Sequence, residues 1–125
     1  MKGNIYTDIA EELRRLGGID RIGVVSASGE SAVIYSGNKK VRKYYGGGSK
    51  QSLIFSVSAM DINSRQEAVV EKLCGIGERL TNAVFRIDGI SQPSVRINSL
   101  PSPTMHNEKY IIYTSSIEFT FYMKG

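Results

Sequence analysis

The chain predicts an α+β domain, a mainly antiparallel sheet of about four to six strands packed against two helices. Three observations carry that reading. Ile5, Ile9, Leu13 and Leu16 recur at helical spacing near the start. Leu53, Phe55, Val57 and Ala59 alternate with Ser56 and Ser58, the pattern of a half-buried strand. Val69, Leu73, Ile76 and Leu80 then form a second helical stripe. With 125 residues, no internal repeat and no linker, the expectation is one domain over 1–125, able to bury roughly two thirds of its unfolded surface.

The first helix has Asn4 or Thr7 as candidate caps and Gly17-Gly18 as its stop. Glu11 and Arg15 stand four apart, a stabilising pair on the polar face. Short strands are expected over Ile22–Ser26, Ala32–Ser36 and Val41–Tyr45, separated by turns at Ser28-Gly29-Glu30 and Gly37-Asn38, so this part reads as a meander of hairpins. A Gly46-Gly47-Gly48-Ser49-Lys50 break precedes the alternating strand.

Ser64-Arg65-Gln66-Glu67 has the form of a capping box and opens the second helix, which runs to about Leu80. Glu67, Glu71, Lys72, Glu78 and Arg79 lie off its apolar stripe. Gly75 and Gly77 each cost about 0.5–1 kcal/mol relative to Ala inside a helix, which leaves two accounts, late fraying or close approach to the sheet. Ile90 to Lys109, with Pro93, Pro101 and Pro103, is the least regular stretch, holding at most a strand at Ser94–Asn98. From Tyr110 to Met123, Ile111, Tyr113, Ile117, Phe119, Phe121 and Met123 share one face, broken by Ser115, as in a central strand.

Composition excludes most chemistry. There is one His, one Cys and no Trp. Cys74 can form no intrachain disulfide and reads as a small buried hydrophobe on the second helix. His106 reads as an exposed loop residue, and no second His exists to share a metal. Asp61, Asp88 and Glu118 stand on separate elements, without the spacing of a paired acid and base. No serine lies in a Gly-x-Ser-x-Gly elbow. Gly46 to Lys50 resembles a phosphate loop only superficially, because a strand follows it where that loop requires a helix. The reading is therefore non-enzymatic, with no cofactor and no metal. No apolar run reaches the roughly 20 residues of a membrane span, and the start has no secretory signal pattern, so the expectation is a protein of the cytoplasm without a membrane partner.

The net charge of +4 is mild. Its most concentrated expression is Lys39, Lys40, Arg42, Lys43 and Lys50, interleaved with Tyr44 and Tyr45. Three readings fit: a protein interface for an acidic partner, an edge strand protected by its lysines, and a nucleic-acid groove in which cations hold phosphates while rings stack. Alternation divides these charges between two strand faces, which weakens the nucleic-acid reading and leaves a small nucleic-acid-binding α+β domain as the alternative. A three-glycine tip between charged strands is costly to order, so the hairpin is expected to become fixed only against a neighbour.

The order of elements resembles the tail terminator proteins of long-tailed bacteriophages and is similar to the related minor capsid proteins of phages and prophages of Gram-positive hosts. The residues carrying the resemblance are the opening helix Ile5-Tyr6-Thr7-Asp8-Ile9-Ala10-Glu11-Glu12-Leu13, the passage from Leu53-Ile54-Phe55-Ser56-Val57-Ser58-Ala59 into Gln66-Glu67-Ala68-Val69-Val70, and the closing strand. What it implies is a structural subunit that assembles with itself into a ring, commonly a hexamer, at the head-proximal end of the virion tail after synthesis in the host cytoplasm. The ring caps the tail tube protein and docks to a head-completion protein. The resemblance also implies an extended hairpin reaching toward the tube, here Val41 to Ser52.

Overall fold

A computed structural model describes the backbone of residues 5–43 and 49–123 and, apart from residues 39–43, their side chains. The chain is α+β, as its periodicities predict. Helix α1 (Ile5–Gly17) is followed by β1 (Arg21–Ile22), β2 (Ser31–Lys43), β3 (Ser49–Ile62), a 3-10 turn (Asn63–Arg65), α2 (Gln66–Thr81), β4 (Ile90–His106) and β5 (Tyr110–Met123). The five strands form one sheet in the order β1-β2-β3-β5-β4. All pairings are antiparallel except β1 with β2, which is parallel.

Both helices bury their apolar stripes. Ile9 and Leu13 of α1, and Val69, Leu73, Ile76 and Leu80 of α2, are buried against Leu53, Phe55, Val57 and Ala59 of β3 and Ile111, Tyr113, Ile117, Phe119 and Phe121 of β5. Phe119 packs edge-on against Phe85 and tilted against Phe121, closing one end of the core. Full burial of side chains this size stabilises by about 1.5–3 kcal/mol each. The even-numbered side of β3 and β5 is instead hydroxyl-rich. Ser58 meets Thr114 at 2.9 Å, Thr114 meets Thr104 at 2.9 Å, and Ser116 meets Ser99 at 2.7 Å.

Helix α1 stops where the glycines predict. Gly18 adopts φ 68°, and the Ile19 N–H donates to the Arg14 carbonyl at 2.9 Å, the six-to-one bond of a Schellman ending. From α2, Arg79 donates its Nε to the Gly17 carbonyl at 3.0 Å, a cation on the negative end of α1. The ion pairs on α1 are three residues apart, Glu11 with Arg14 and Glu12 with Arg15, so the expected Glu11–Arg15 pair is replaced by two shorter-range ones. Thr7 lies inside the helix and is not its cap, while Asn4 lies outside the described residues.

Four further expectations are corrected. The strand expected over Ile22–Ser26 is only Arg21–Ile22, because after Gly23 donates to the Val33 carbonyl the chain leaves the sheet into a loop. Gly37-Asn38 makes no turn. β2 runs through it, and register shifts at Tyr35/Gly37 and Asn38/Lys40 absorb the irregularity while pairing with β3 continues. The stretch from Ile90 is a long edge strand, not an irregular loop; shifts between Ser91/Ser94, Ile97/Ser99, Ser99/Ser102 and Pro103/Met105 accommodate its prolines. Finally, Ser64 does not cap α2. Its predecessor Asn63 is held by the Lys109 and Asn107 carbonyls at 3.0 and 2.8 Å, which winds Asn63–Arg65 into a 3-10 turn, and Arg65 enters the helix without a side-chain cap.

The two glycines of α2 differ. A Cβ on Gly77 would lie 2.9 Å from Ile97 Cδ1 on β4, so there the helix does approach the sheet closely. A Cβ on Gly75 would meet only Arg79 Nη1 at 3.5 Å. The helix continues through both to Thr81, which removes the fraying account.

Candidate protein interface

The basic stretch falls on two neighbouring strands. The β2–β3 ladder pairs Lys40 with Ser52, Val41 with Gln51, Arg42 with Lys50 and Lys43 with Ser49. On its other side β3 pairs Ser49 with Met123 and Lys50 with Tyr122, and β4 pairs Ile90 with Met123. The strands flanking the glycine break are therefore already laddered into the sheet in a single chain. Tyr44, Tyr45 and Gly46-Gly47-Gly48 lie outside the described residues, and the expected sites Lys39, Lys40, Arg42 and Lys43 are described by backbone register alone.

Register puts Arg42 directly opposite Lys50. Like charges at directly opposed positions of an antiparallel pair repel, so this corner of the sheet favours an anionic neighbour. Lys50 Nζ stands 5.7 Å from the centroid of the Tyr122 ring. Both partners are half-buried, and a contact of this kind contributes about 0.5–1 kcal/mol or somewhat more. β1 covers β2 only at Ala32 and Val33, so among the described strands nothing pairs with the outer edge of β2 beyond them.

A second surface lies across the sheet, between α2 and β4. Leu73, Cys74, Gly77, Ile97, Leu100 and Pro101 line most of a groove of about 190 Å³, with Glu78 and Thr81 at its helical rim. Leu100 is 75% exposed and Ile97 41%. Cys74 is exposed, contrary to the buried position expected for it. The reason is helical phase: the buried stripe is Val69, Leu73, Ile76 and Leu80, whereas Cys74 falls in line with Glu67, Glu71, Glu78 and Thr81, all exposed. No described Lys or Arg pairs with the carboxylates of Glu67, Glu71 or Glu78. The cations of α2 face the other way, Lys72 bonding Asp20 and the Gly29 carbonyl at 3.3 and 2.6 Å, and Arg79 bonding Gly17. Helix α2 thus sets Glu78 toward β4, while its cations reach the end of α1 at Gly17 and the loop residues Asp20 and Gly29.

The groove was not visible as a site in the sequence. Its only signal there was Gly77, a small residue inside a strongly amphipathic helix.

Several other polar residues make contacts within the fold. Asp20 accepts the backbone N–H of buried Ser31 at 2.8 Å, and that bond, with the Ser31 hydroxyl and Lys72, holds its carboxyl below the usual carboxylate range. The Ser28 hydroxyl at 2.7 Å, ahead of the Ile62 N–H and Arg65, lowers Asp61. The carboxylate of Glu118, buried on β5, stands 3.5 Å from Arg96. His106 ends β4, exposed, and Asn107 folds the turn after it by accepting the Lys109 and Tyr110 N–H groups at 2.8 Å. Among the described residues no three His, Cys, Asp or Glu side chains gather as a metal site, and no helix is long and apolar enough to cross a membrane. No protein-family model matches the chain, and no curated protein matches it.

Proposed function

We propose that the protein is a structural assembly subunit of the tail-terminator kind, working through protein contacts and without a cofactor. Copies join into a ring, commonly a hexamer, that caps the tail tube protein at the head-proximal end of a phage or prophage tail and offers a face to a head-completion protein. The observation that carries this reading is the cationic corner of the sheet. Four cations cluster within residues 39–43, a fifth stands at Lys50, and the register opposes Arg42 to Lys50 across the β2–β3 ladder. Such a corner fits an acidic protein surface better than a small-molecule substrate.

The test replaces Lys39, Lys40, Arg42 and Lys43 together by Glu and mixes the folded variant with tail tubes. Wild-type protein should form a ring at one tube end under the electron microscope, and the variant should leave the tubes uncapped. Tubes of normal length capped by the variant overturn the reading.

A second reading is favoured by one specific contact, Lys50 over the Tyr122 ring, which sets a cation beside a half-buried aromatic, a pairing that single-stranded nucleic acid uses. Titration with single-stranded DNA at two salt concentrations separates the two readings. Phosphate contacts make affinity fall steeply with salt, and absence of binding at low salt removes this alternative.

A further inference from the structure

We infer that the sheet face left bare by the helices is a track for the phosphate backbone of a single-stranded nucleic acid, centred on Lys50 and Thr120. The inference deepens the second reading and rests on it. The buried side chains of α1 and α2 pack on the odd-numbered positions of β3 and β5, together with Ile19 and Phe85 from the loops. Neither helix lies on the even-numbered side, where Lys50, Ile54, Thr120 and Tyr122 are half-buried.

Register decides which cations share that face. Directly opposed residues of an antiparallel pair lie on the same side of the sheet. Arg42 stands opposite Lys50, Lys50 opposite Tyr122 and Tyr122 opposite Ser91. The next row is Lys40, Ser52, Thr120 and Ser94, and the one after it joins Ile54 to Glu118 and Arg96. The alternation that splits the basic stretch therefore sets Lys40 and Arg42 on the face of Lys50, and sends Lys43, opposite Ser49, to the helix side. Across β2, β3, β5 and β4 the patch is about 14 Å wide, three strand spacings.

Charge and chemistry together choose the occupant. The five strands hold seven Lys or Arg and two carboxylates, whereas the two helices hold four cations and six carboxylates. Of the two strand carboxylates, Asp61 stands opposite Ile111 on the helix side, and Glu118 is buried beside Arg96, whose own side chain is 73% exposed. The positive field thus leaves through the bare face, toward a polyanion. Between the cations lie the hydroxyls of Ser52, Thr120 and Ser94, groups that suit phosphate oxygens. The Tyr122 ring under Lys50 adds the aromatic surface that single-strand sites carry. A protein partner needs an apolar anchor at the centre of its contact, and among the described residues no large apolar side chain is exposed in these three rows.

The probe is a fluorescent oligothymidine of about 20 nucleotides, long enough to cover such a track, read by anisotropy on the full chain. Wild-type protein should bind it at about 0.05 M salt and release it steeply toward about 0.2 M. Lys40→Gln with Arg42→Gln should lose at least tenfold at low salt and flatten the slope of log affinity against log salt by about 1.4, the share of two phosphate contacts on a single strand. Lys43→Gln with Lys109→Gln removes the same charge away from the face and should lose less than threefold. Thr120→Glu sets a carboxylate at the centre of the track and should lose at least tenfold while its circular dichroism stays native. Photo-cross-linking of wild-type protein to a thiothymidine-substituted strand needs no variant to fold, and its adducts should map to 50–54 and 118–122. No binding of the strand at low salt removes the second reading and the inference with it. Equal losses from the two double variants, or adducts confined to the helices, overturn the track and leave that reading in place. Polyglutamate or anionic lipid vesicles that displace the strand at equal charge concentration overturn nucleic acid as the occupant.

Discussion

Gly75 and Gly77 stand two residues apart in one helix and predict opposite behaviour. At Gly75 a methyl group finds ordinary contact, so Gly75→Ala should stabilise by about 0.5–1 kcal/mol in urea unfolding, the helix-propensity gain. At Gly77 the same methyl meets Ile97 Cδ1 at 2.9 Å and has to displace it, so the gain should be smaller than at Gly75 or reversed. Equal gains at the two positions would show that the close approach constrains nothing. Asp20 gives a pH prediction. Its folded pKa is depressed, chiefly by the Ser31 N–H, so its contribution is complete above the ordinary carboxylate pKa near 3.9 and is lost as pH falls through the lower folded value. Asp20→Asn keeps an oxygen that can accept from Ser31 but loses the charge, so it should be less stable than wild type at pH 7 by about 1 kcal/mol or less, solvent screening the half-exposed carboxyl. The gap should close in urea titrations taken down toward about pH 2. A gap independent of pH would sink the assignment.

Among the elements, the apolar periods of α1, α2, β3 and β5 were legible because each pattern reports burial on one face, and burial is what packing enforced. Ile9, Leu13, Val69, Leu73, Ile76 and Leu80 all sit in the core as their spacing requires. Strand β4 was not legible. Its prolines and its exposed positions on both faces look like a loop, and it becomes a strand only because the regular β5 offers a long ladder to pair with. Likewise Gly37-Asn38 has turn chemistry, yet pairing with β3 on either side of it outweighs a local turn. The prolines of β4 should matter for solubility more than for folding. Pro101→Thr with Pro103→Thr restores two donors on an edge strand, and light scattering should show concentration-dependent association beyond the wild-type state while the urea midpoint moves little. Unchanged scattering would mean the prolines guard nothing.

At the level of the assembled core, α1, α2, β3 and β5 share one cluster of buried side chains, with Phe55, Phe119 and Phe121 fully enclosed. One shared core predicts one cooperative unfolding transition. Phe119→Ala should lower stability by about 3–5 kcal/mol with the urea slope unchanged, and two separated transitions would contradict a single core. The candidate interface was only partly legible at this level. The cations of residues 39–43 and Lys50 stand out in the chain, and their clustering needed no fold to be noticed. Their opposition across two strands depends on the β2–β3 register, and the groove of Cys74, Gly77, Ile97 and Leu100 on the far flank joins two elements twenty or more positions apart. Periodicity and charge are local properties, written wherever neighbours along the chain share a face; α1, α2, β3 and β5 follow from them. Register and the meeting of α2 with β4 are set by competition among distant segments for the same backbone bonds and the same apolar cover, and that competition is resolved only when the whole chain has packed.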